Sequence, residues 1–463
     1  MNTMKHESVC KMLLTLSLPM AAQGLISFAI NMTDVLMVQL LGENELDACI
    51  IANIPFIIFF FIISGVGSGA CMVCAQYFGK QDLVSIKKIM AVSLNLILVI
   101  GGLFSVTLFS VPTVVMRLLT NDQWLVVIGA QYLRFMAPTY LLTGFLVVYV
   151  LVLRSMSEVK FALFVELVTL FINIMLNYIL IFGKCGFPAL GVKGSAYATL
   201  TARSVAFLLC IYFLEKKEVK LGFRLRDLFI EKKGVMRNLF KCSYAVVINE
   251  VLWGLGLSLN NIVFSKTGSR EVIAAVAEVG IFGQLSSVFI VGFASSVEVI
   301  IGQLVGSGEF KKLSKFIKNI LFVSLAVGVF SLGITLLVKN PVLNMGKLSE
   351  IAKMLAAQLI EVNAIILFFQ AISSTCVYGI LRGGADTKTV LLLDTISLWF
   401  FAVPLTWFGL KIFKWPLAVV YLCTRADILV KLIFGFVRIK RGGWIKDVTG
   451  VGAKKGVFKD VGA

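Results

Sequence analysis

Twelve long apolar runs separated by short polar breaks dominate the chain. They cover about 12–41, 47–76, 89–117, 124–150, 161–183, 195–214, 242–265, 271–302, 319–338, 351–380, 389–410 and 416–437. About 20 apolar residues cross the hydrocarbon of a bilayer. The spacing therefore predicts an all-α, polytopic membrane protein with twelve transmembrane helices. Within lipid each backbone N–H and C=O needs a partner in its own segment, and a helix supplies one. The 463 residues leave room for short loops and two tails, but for no sizeable soluble domain. Charged residues make up 15% of the chain, against about 25% in a soluble domain. A soluble single-core enzyme is all but excluded. The single histidine, His6, lies in the N-terminal tail, so no histidine-held metal or histidine-based triad is expected in the membrane. Cys71 and Cys74 form a C-x-x-C inside an apolar run with no second pair, and read as two buried small residues.

The net charge is +18. In a soluble chain it would suggest nucleic acid; here no nucleic-acid partner is expected, because the charge follows the positive-inside bias. With the N-terminus inside, 29 of the 43 Lys and Arg fall on inside segments and 10 on outside loops, with Arg134, Arg203, Arg425 and Lys431 within spans. Both termini are therefore expected in the cytoplasm. The expected domains are an N-lobe over 1–214, a basic surface-lying connector over 215–241, a C-lobe over 242–440 and a basic tail over 441–463.

The halves resemble each other. Gln76-x-x-Gly79 recurs as Gln303-x-x-Gly306, and Leu153-Arg154 as Leu381-Arg382. Glu166 falls on Asp394 and Arg203 on Lys431, all at an offset of 227 or 228. Six spans per repeat is an even number, so both repeats keep one orientation. They are expected as two pseudo-symmetric six-helix bundles around an axis along the membrane normal, a transporter pattern.

A charge inside the membrane costs several kcal/mol unless paired, neutralised or hydrated. Some of these charges have structural explanations. Glu166 and Asp394 are expected to meet loop arginines. Arg134 and Glu361 either pair between bundles or snorkel, and Asp427 pairs with Lys431 at i, i+4. Positions that differ between the repeats mark a specialised site. Asp34 falls on Asn261, Asn173 on Phe401 and Asn177 on Leu405. Asp34 lies about 12 Å and Asn177 about 9 Å below the outer end by helical rise, and Asn173 and Asn177 share a helix face. A carboxylate among amides can take up a proton, or join the amide oxygens in holding Na⁺. The alternative is a hydrogen-bonded knot between spans.

Glu250 is the second candidate, a substrate or second coupling site. Its repeat partner is Gln23, and Trp253 stands one turn away, so acid and aromatic together suit an organic cation. Glu278 and Glu298 on span 8 are weaker candidates. Pro19, on the span that carries Asp34, marks a bend that is either static or responsive to that acid.

The stretch from Asn173 through Asn177, Gly183, Gly186, Pro188, Gly191 and Gly194 to Thr199 resembles the span 5–6 motif of the multidrug and toxin extrusion family. Pro19 through Asp34 to Gly42, Gln76-x-x-Gly79 and Leu381-Arg382-Gly383-Gly384-x-Asp386-Thr387 fit it as well, over about residues 8–440. The resemblance implies an exporter of two six-helix lobes that exchanges inward H⁺ or Na⁺ for outward substrate. Asp34 matches the N-lobe coupling acid, with Asn173, Asn177 and Thr199 as neighbours. Some relatives have an acid where Asn177 stands, and others a C-lobe acid where Ala371 stands. Glu250 is on the helix of the other C-lobe acid.

The expected function is a secondary antiporter for organic, mainly cationic, compounds, acting as a monomer in the bilayer without a cofactor beyond the coupling ion. A lipid-linked precursor flippase would show a more cationic cavity. A membrane-embedded enzyme would need a catalytic constellation, and no such motif is visible.

Overall fold

The computed structural model describes residues 9–217, 220–230, 234–265, 269–343 and 349–449. His6, Lys232, Lys233 and the tail from 450 lie outside them, as does the side chain of Asn261. The described residues form helices and no strand. In chain order they are α1 (Val9–Gln39), α2 (Glu43–Ala52), α3 (Ile54–Gly79), α4 (Leu83–Ser110), α5 (Pro112–Leu119), α6 (Gln123–Ser155), α7 (Lys160–Phe182) and α8 (Val192–Tyr212). The second half gives α9 (Met236–Ser265), α10 (Arg270–Ser307), α11 (Phe310–Leu343), α12 (Glu350–Ser374), α13 (Thr387–Ile396), α14 (Val403–Lys411), α15 (Leu417–Cys423) and α16 (Asp427–Lys440).

Among the described residues, eleven helical stretches are long and apolar enough to cross a membrane. The twelfth predicted span, 416–437, is present as α15 and α16, which follow one another through a tightened turn at 424–426 that keeps right-handed backbone angles (Thr424 φ −59°, Ala426 φ −58°). The turn is satisfied locally. The Thr424 hydroxyl donates to the Tyr421 carbonyl at 2.6 Å. Asn260, from α9, donates to the Thr424 carbonyl at 3.5 Å, and Arg425 donates to Gln370 at 3.0 Å. Such partners let irregular backbone persist at membrane depth. Span 2 is also divided, at Asn53, into α2 and α3. Pro55 therefore sits in the first turn of α3, where its missing N–H costs nothing. Pro404 likewise opens α14, directly after a π-helical turn over Ser397–Ala402 that widens the helix ahead of the proline. Pro19 and Pro138 do lie inside helices, in α1 and α6.

The chain packs as two compact units. One holds Ala22–Cys74 and Asp82–Val247. At its core Phe59 and Tyr140 are buried, with ring centroids 5.1 Å apart, and Phe104 of α4 stacks on Tyr140 at 5.9 Å. The connector belongs to this unit. Lys87 and Asn95 of α4 donate to the carbonyls of Gly222 (2.8 Å) and Leu228 (2.9 Å), and Phe223 is buried.

The other unit holds Met1–Ala21, Ala75–Gln81 and Ile248–Ala463. Here the ends of α3 and α10, which carry the two Q-x-x-G copies, cross backbone to backbone. A Cβ at Gly79 would overlap the Gln303 carbonyl, and one at Gly306 would overlap the Gln76 carbonyl. Each copy's glycine meets the other copy's glutamine, the reciprocity expected of two-fold related elements. Overpacking a close contact costs about 1–3 kcal/mol. Gly306→Leu is therefore expected to lower the thermal midpoint of the detergent-purified protein. Gly333→Leu, where a Cβ meets nothing within 4 Å, should leave it unchanged.

Candidate functional site

The first cluster is built by the turn between α7 and α8. Gly183 ends α7 in the left-handed conformation, φ 65°, which glycine adopts at no steric cost. The chain then folds back, with Leu190 N–H donating to Leu180 (2.9 Å) and Gly191 N–H to Ile181 (3.3 Å). Gly194 lets α8 rest on the α7 backbone, since a Cβ there would stand 2.6 Å from the Leu180 carbonyl oxygen. This close pairing brings Asn173 to Thr199, whose hydroxyl accepts from the Asn173 amide at 3.4 Å.

Asn177, one turn further along α7, donates to Asn173 Oδ1 at 3.2 Å and to Asp34 Oδ1. Asp34, Asn177, Asn173 and Thr199 are thus one hydrogen-bonded chain across α1, α7 and α8. Asn173 and Asn177 are 1% and 0% exposed, while Asp34 is half-buried. Both amide hydrogens of Asn177 are committed, yet among the described residues its buried Oδ1 has no hydrogen-bond partner. Beside the Asp34 carboxylate, that oxygen can accept from a proton donor or contribute a hard donor to a small cation. All four residues proposed from sequence come together here.

The second cluster lies in the other unit. Arg382 reaches Glu250 at 3.2 Å and Glu298 at 3.4 Å, so one buried guanidinium serves two carboxylates. Glu250 is thus already ion-paired. Its sequence equivalent has the same geometry in the first unit: Arg154 donates to Gln23 Oε1 at 3.2 Å, and Gln23 donates to the Val159 carbonyl at 3.0 Å. The arginine is common to both repeats, and its partner changes from amide to acid. Trp253 is half-buried one turn beyond Glu250, and Trp399 donates to the adjacent Leu252 carbonyl at 3.3 Å. Glu278 is half-buried on α10, twenty residues before Glu298 in sequence. The Asn261 side chain lies outside the described residues.

A third cluster departs from the sequence expectation. Asp394 does not meet a loop arginine. It pairs with Lys431 at 3.1 Å and accepts from Asn249 (2.8 Å) and Tyr378 (3.0 Å). Lys431 also holds Asp427 at 2.7 Å, the expected i, i+4 pair. Asp394, Asp427, Lys431 and Asn249 are all at least 95% buried. Among the described residues Glu166 meets no loop arginine either, and its buried Oε2 has no hydrogen-bond partner there. Glu361 pairs with Lys339, and Arg134 donates to the Phe109 carbonyl at 3.4 Å. Sequence reasoning used Arg382 only as a repeat marker. The shared offset of 154/382 and 23/250 was the signal that could have paired it with Glu250.

A family model described as MatE matches residues 19–179 and 246–408. The chain is similar to the probable multidrug resistance protein NorM of Thermotoga maritima, 23% identical over 94% of this chain and 93% of that protein. The probable multidrug resistance protein YoeA of Bacillus subtilis is 26% identical over 61% of this chain and 62% of that protein. Among solved structures, the outward-facing conformation of a multidrug resistance MATE family transporter of the MOP superfamily is 19% identical. It has a TM-score of 0.85 and covers 93% of this chain and 95% of that one. That likeness shows the fold of twelve membrane helices in two lobes.

Removing one partner of a buried ion pair costs about 3–5 kcal/mol, because the other charge is left uncompensated. Lys431→Met, which strands Asp394 and Asp427, is expected to lower the thermal midpoint and the yield of monodisperse protein. The triple variant Lys431→Met, Asp394→Asn, Asp427→Asn should recover most of the loss.

Proposed function

The chain belongs to the MatE family of multidrug efflux transporters, and from that premise we propose that it is a secondary antiporter exporting organic, mainly cationic, compounds in exchange for H⁺ or Na⁺. The observation that carries the reading is the chain Asp34–Asn177–Asn173–Thr199 with its bare Asn177 oxygen. The buried acids Glu298, Asp386, Asp394 and Asp427 are each held by a cation of the protein, whereas the hydrogen bond to Asp34 comes from an amide. A cation bound there can be taken up and given back. Glu250, paired to Arg382, serves as a second site whose carboxylate a cationic substrate or a proton would release from that pair.

In the proposed cycle the substrate enters from the cytoplasm, the lobes rock, and a cation arriving at Asp34 favours release outward. Cation and cargo then oppose each other through one coupling free energy, which acts in both directions. The distribution of Lys and Arg supports cytoplasmic termini. Acids outnumber bases within the spans, which supports cationic cargo over the pyrophosphate of a lipid-linked precursor.

Reconstituted protein should drive efflux of an organic cation under an inward H⁺ or Na⁺ gradient applied separately. Asp34→Asn is expected to abolish gradient-driven efflux while leaving counterflow without a gradient. Undiminished gradient-driven efflux in Asp34→Asn overturns the assignment. Glu250→Gln should weaken cargo affinity or coupling, and wild-type behaviour demotes that residue.

A further inference from the structure

After α16 the chain does not leave the protein. Residues 441–449 turn back across the face at which α16 ends. Trp444 is 0% exposed and lies on Gly384, where any Cβ would run into the indole ring. Lys446 N–H donates to the Gly384 carbonyl at 2.8 Å. Asp386, 0% exposed, is paired with Arg438 at 2.9 Å and with the Lys446 ammonium. This end of the segment is anchored to α16 and to the turn before α13.

Its other end grips the first repeat. The Gln76 amide reads the extended tail like a neighbouring strand, donating to the Lys446 carbonyl (3.2 Å) and accepting from Val448 N–H (3.0 Å). The Tyr77 hydroxyl donates to the Val448 carbonyl at 3.4 Å, and the Lys80 ammonium to the Thr449 carbonyl at 2.8 Å. Gln76 and Tyr77 are buried here, while Lys80 is exposed and Val448 half-buried. The hook consists of hydrogen bonds alone, whereas the anchor also buries an indole and an ion-paired carboxylate, so the hook is the weaker end.

We propose that residues 444–449 form a latch that holds the tail face closed, hinged at Trp444 and hooked on Gln76, Tyr77 and Lys80. The proposal rests on the alternating access of the antiport reading. Gln76 and Gly79 belong to the helix end that packs on Gln303 and Gly306. The turn that anchors the tail itself rests on α10, where a Cβ at Gly383 would stand 2.8 Å from the Glu298 carbonyl oxygen, so the end of α3 cannot part from that turn and α10 while the hook holds. Each opening of this face therefore breaks the hook and leaves the anchor in place.

The test uses full-length protein in vesicles, with its nine native cysteines replaced and efflux retained. Lys80→Cys and Val448→Cys are joined by a cleavable bifunctional thiol reagent. Efflux is expected to fall about tenfold or more, a barrier rise of one factor of ten in rate, and to return on cleavage. Efflux at the uncrosslinked rate with the link in place overturns the latch. A second arm asks whether losing the anchor loosens the face. In Trp444→Ala, a reporter cysteine at the buried Ala75 should react with an impermeant maleimide about tenfold faster, as a shifted open population requires. Unchanged labelling also overturns the latch. Labelling needs no cargo, so failure of the antiport reading appears separately, as absent efflux in the uncrosslinked parent. If Trp444→Ala does not fold, the cross-link decides.

Discussion

A charge that has lost its water must find compensation among its neighbours, and this constraint organises the interior of the protein. Arg382 serves Glu250 and Glu298, and Lys431 serves Asp394 and Asp427. Both clusters hold two carboxylates per cation. Asp34 follows a different solution, because its hydrogen bond comes from the Asn177 amide. An amide lowers the cost of the buried charge without cancelling it. A carboxylate so placed is a natural stop for an exchangeable cation, which is why its location matters more than its pairing.

The same constraint explains how the repeats diverged. The arginine at 154 and 382 is common to both, and so is the contact it makes; only the partner changes, from Gln23 to Glu250. A neutral amide satisfies the guanidinium without adding charge, while an acid adds a titratable group at the same place. The scaffold is thus preserved while one copy gains chemistry. The glycines of the two Q-x-x-G copies show the opposite case, in which neither copy tolerates a side chain because each backbone lies on the other.

Much of the first cluster was legible in the sequence. Asn173 and Asn177 stand at i, i+4, which fixes a common face before any fold is known, and both are replaced by apolar residues in the second repeat. Of the Asp394 cluster only the Asp427–Lys431 pair, at i, i+4 on α16, was legible. Its other members sit at 249, 378 and 394, on three further helical segments, and hydropathy carries no information on which faces meet. Charge counting pointed Asp394 toward the basic loops, whereas tertiary packing supplied a lysine from a neighbouring helix. The tightened turns at 53 and 424–426 escaped notice for a related reason. A run of apolar residues reads as a regular helix even where one turn tightens and a side chain such as Asn260 donates to the Thr424 carbonyl.

The sequence by itself determined an all-helical membrane protein in two related halves, because apolar length and a constant repeat offset leave few other arrangements. It also singled out Asp34 and its amides. Tertiary structure alone decided which carboxylates are neutralised and by whom, that Glu250 is held by Arg382, and that the segment after α16 returns to grip Gln76. Those outcomes depend on which surfaces come within hydrogen-bonding distance, roughly 3 Å, and distances of that order are set by packing between helices rather than by the order of residues along them.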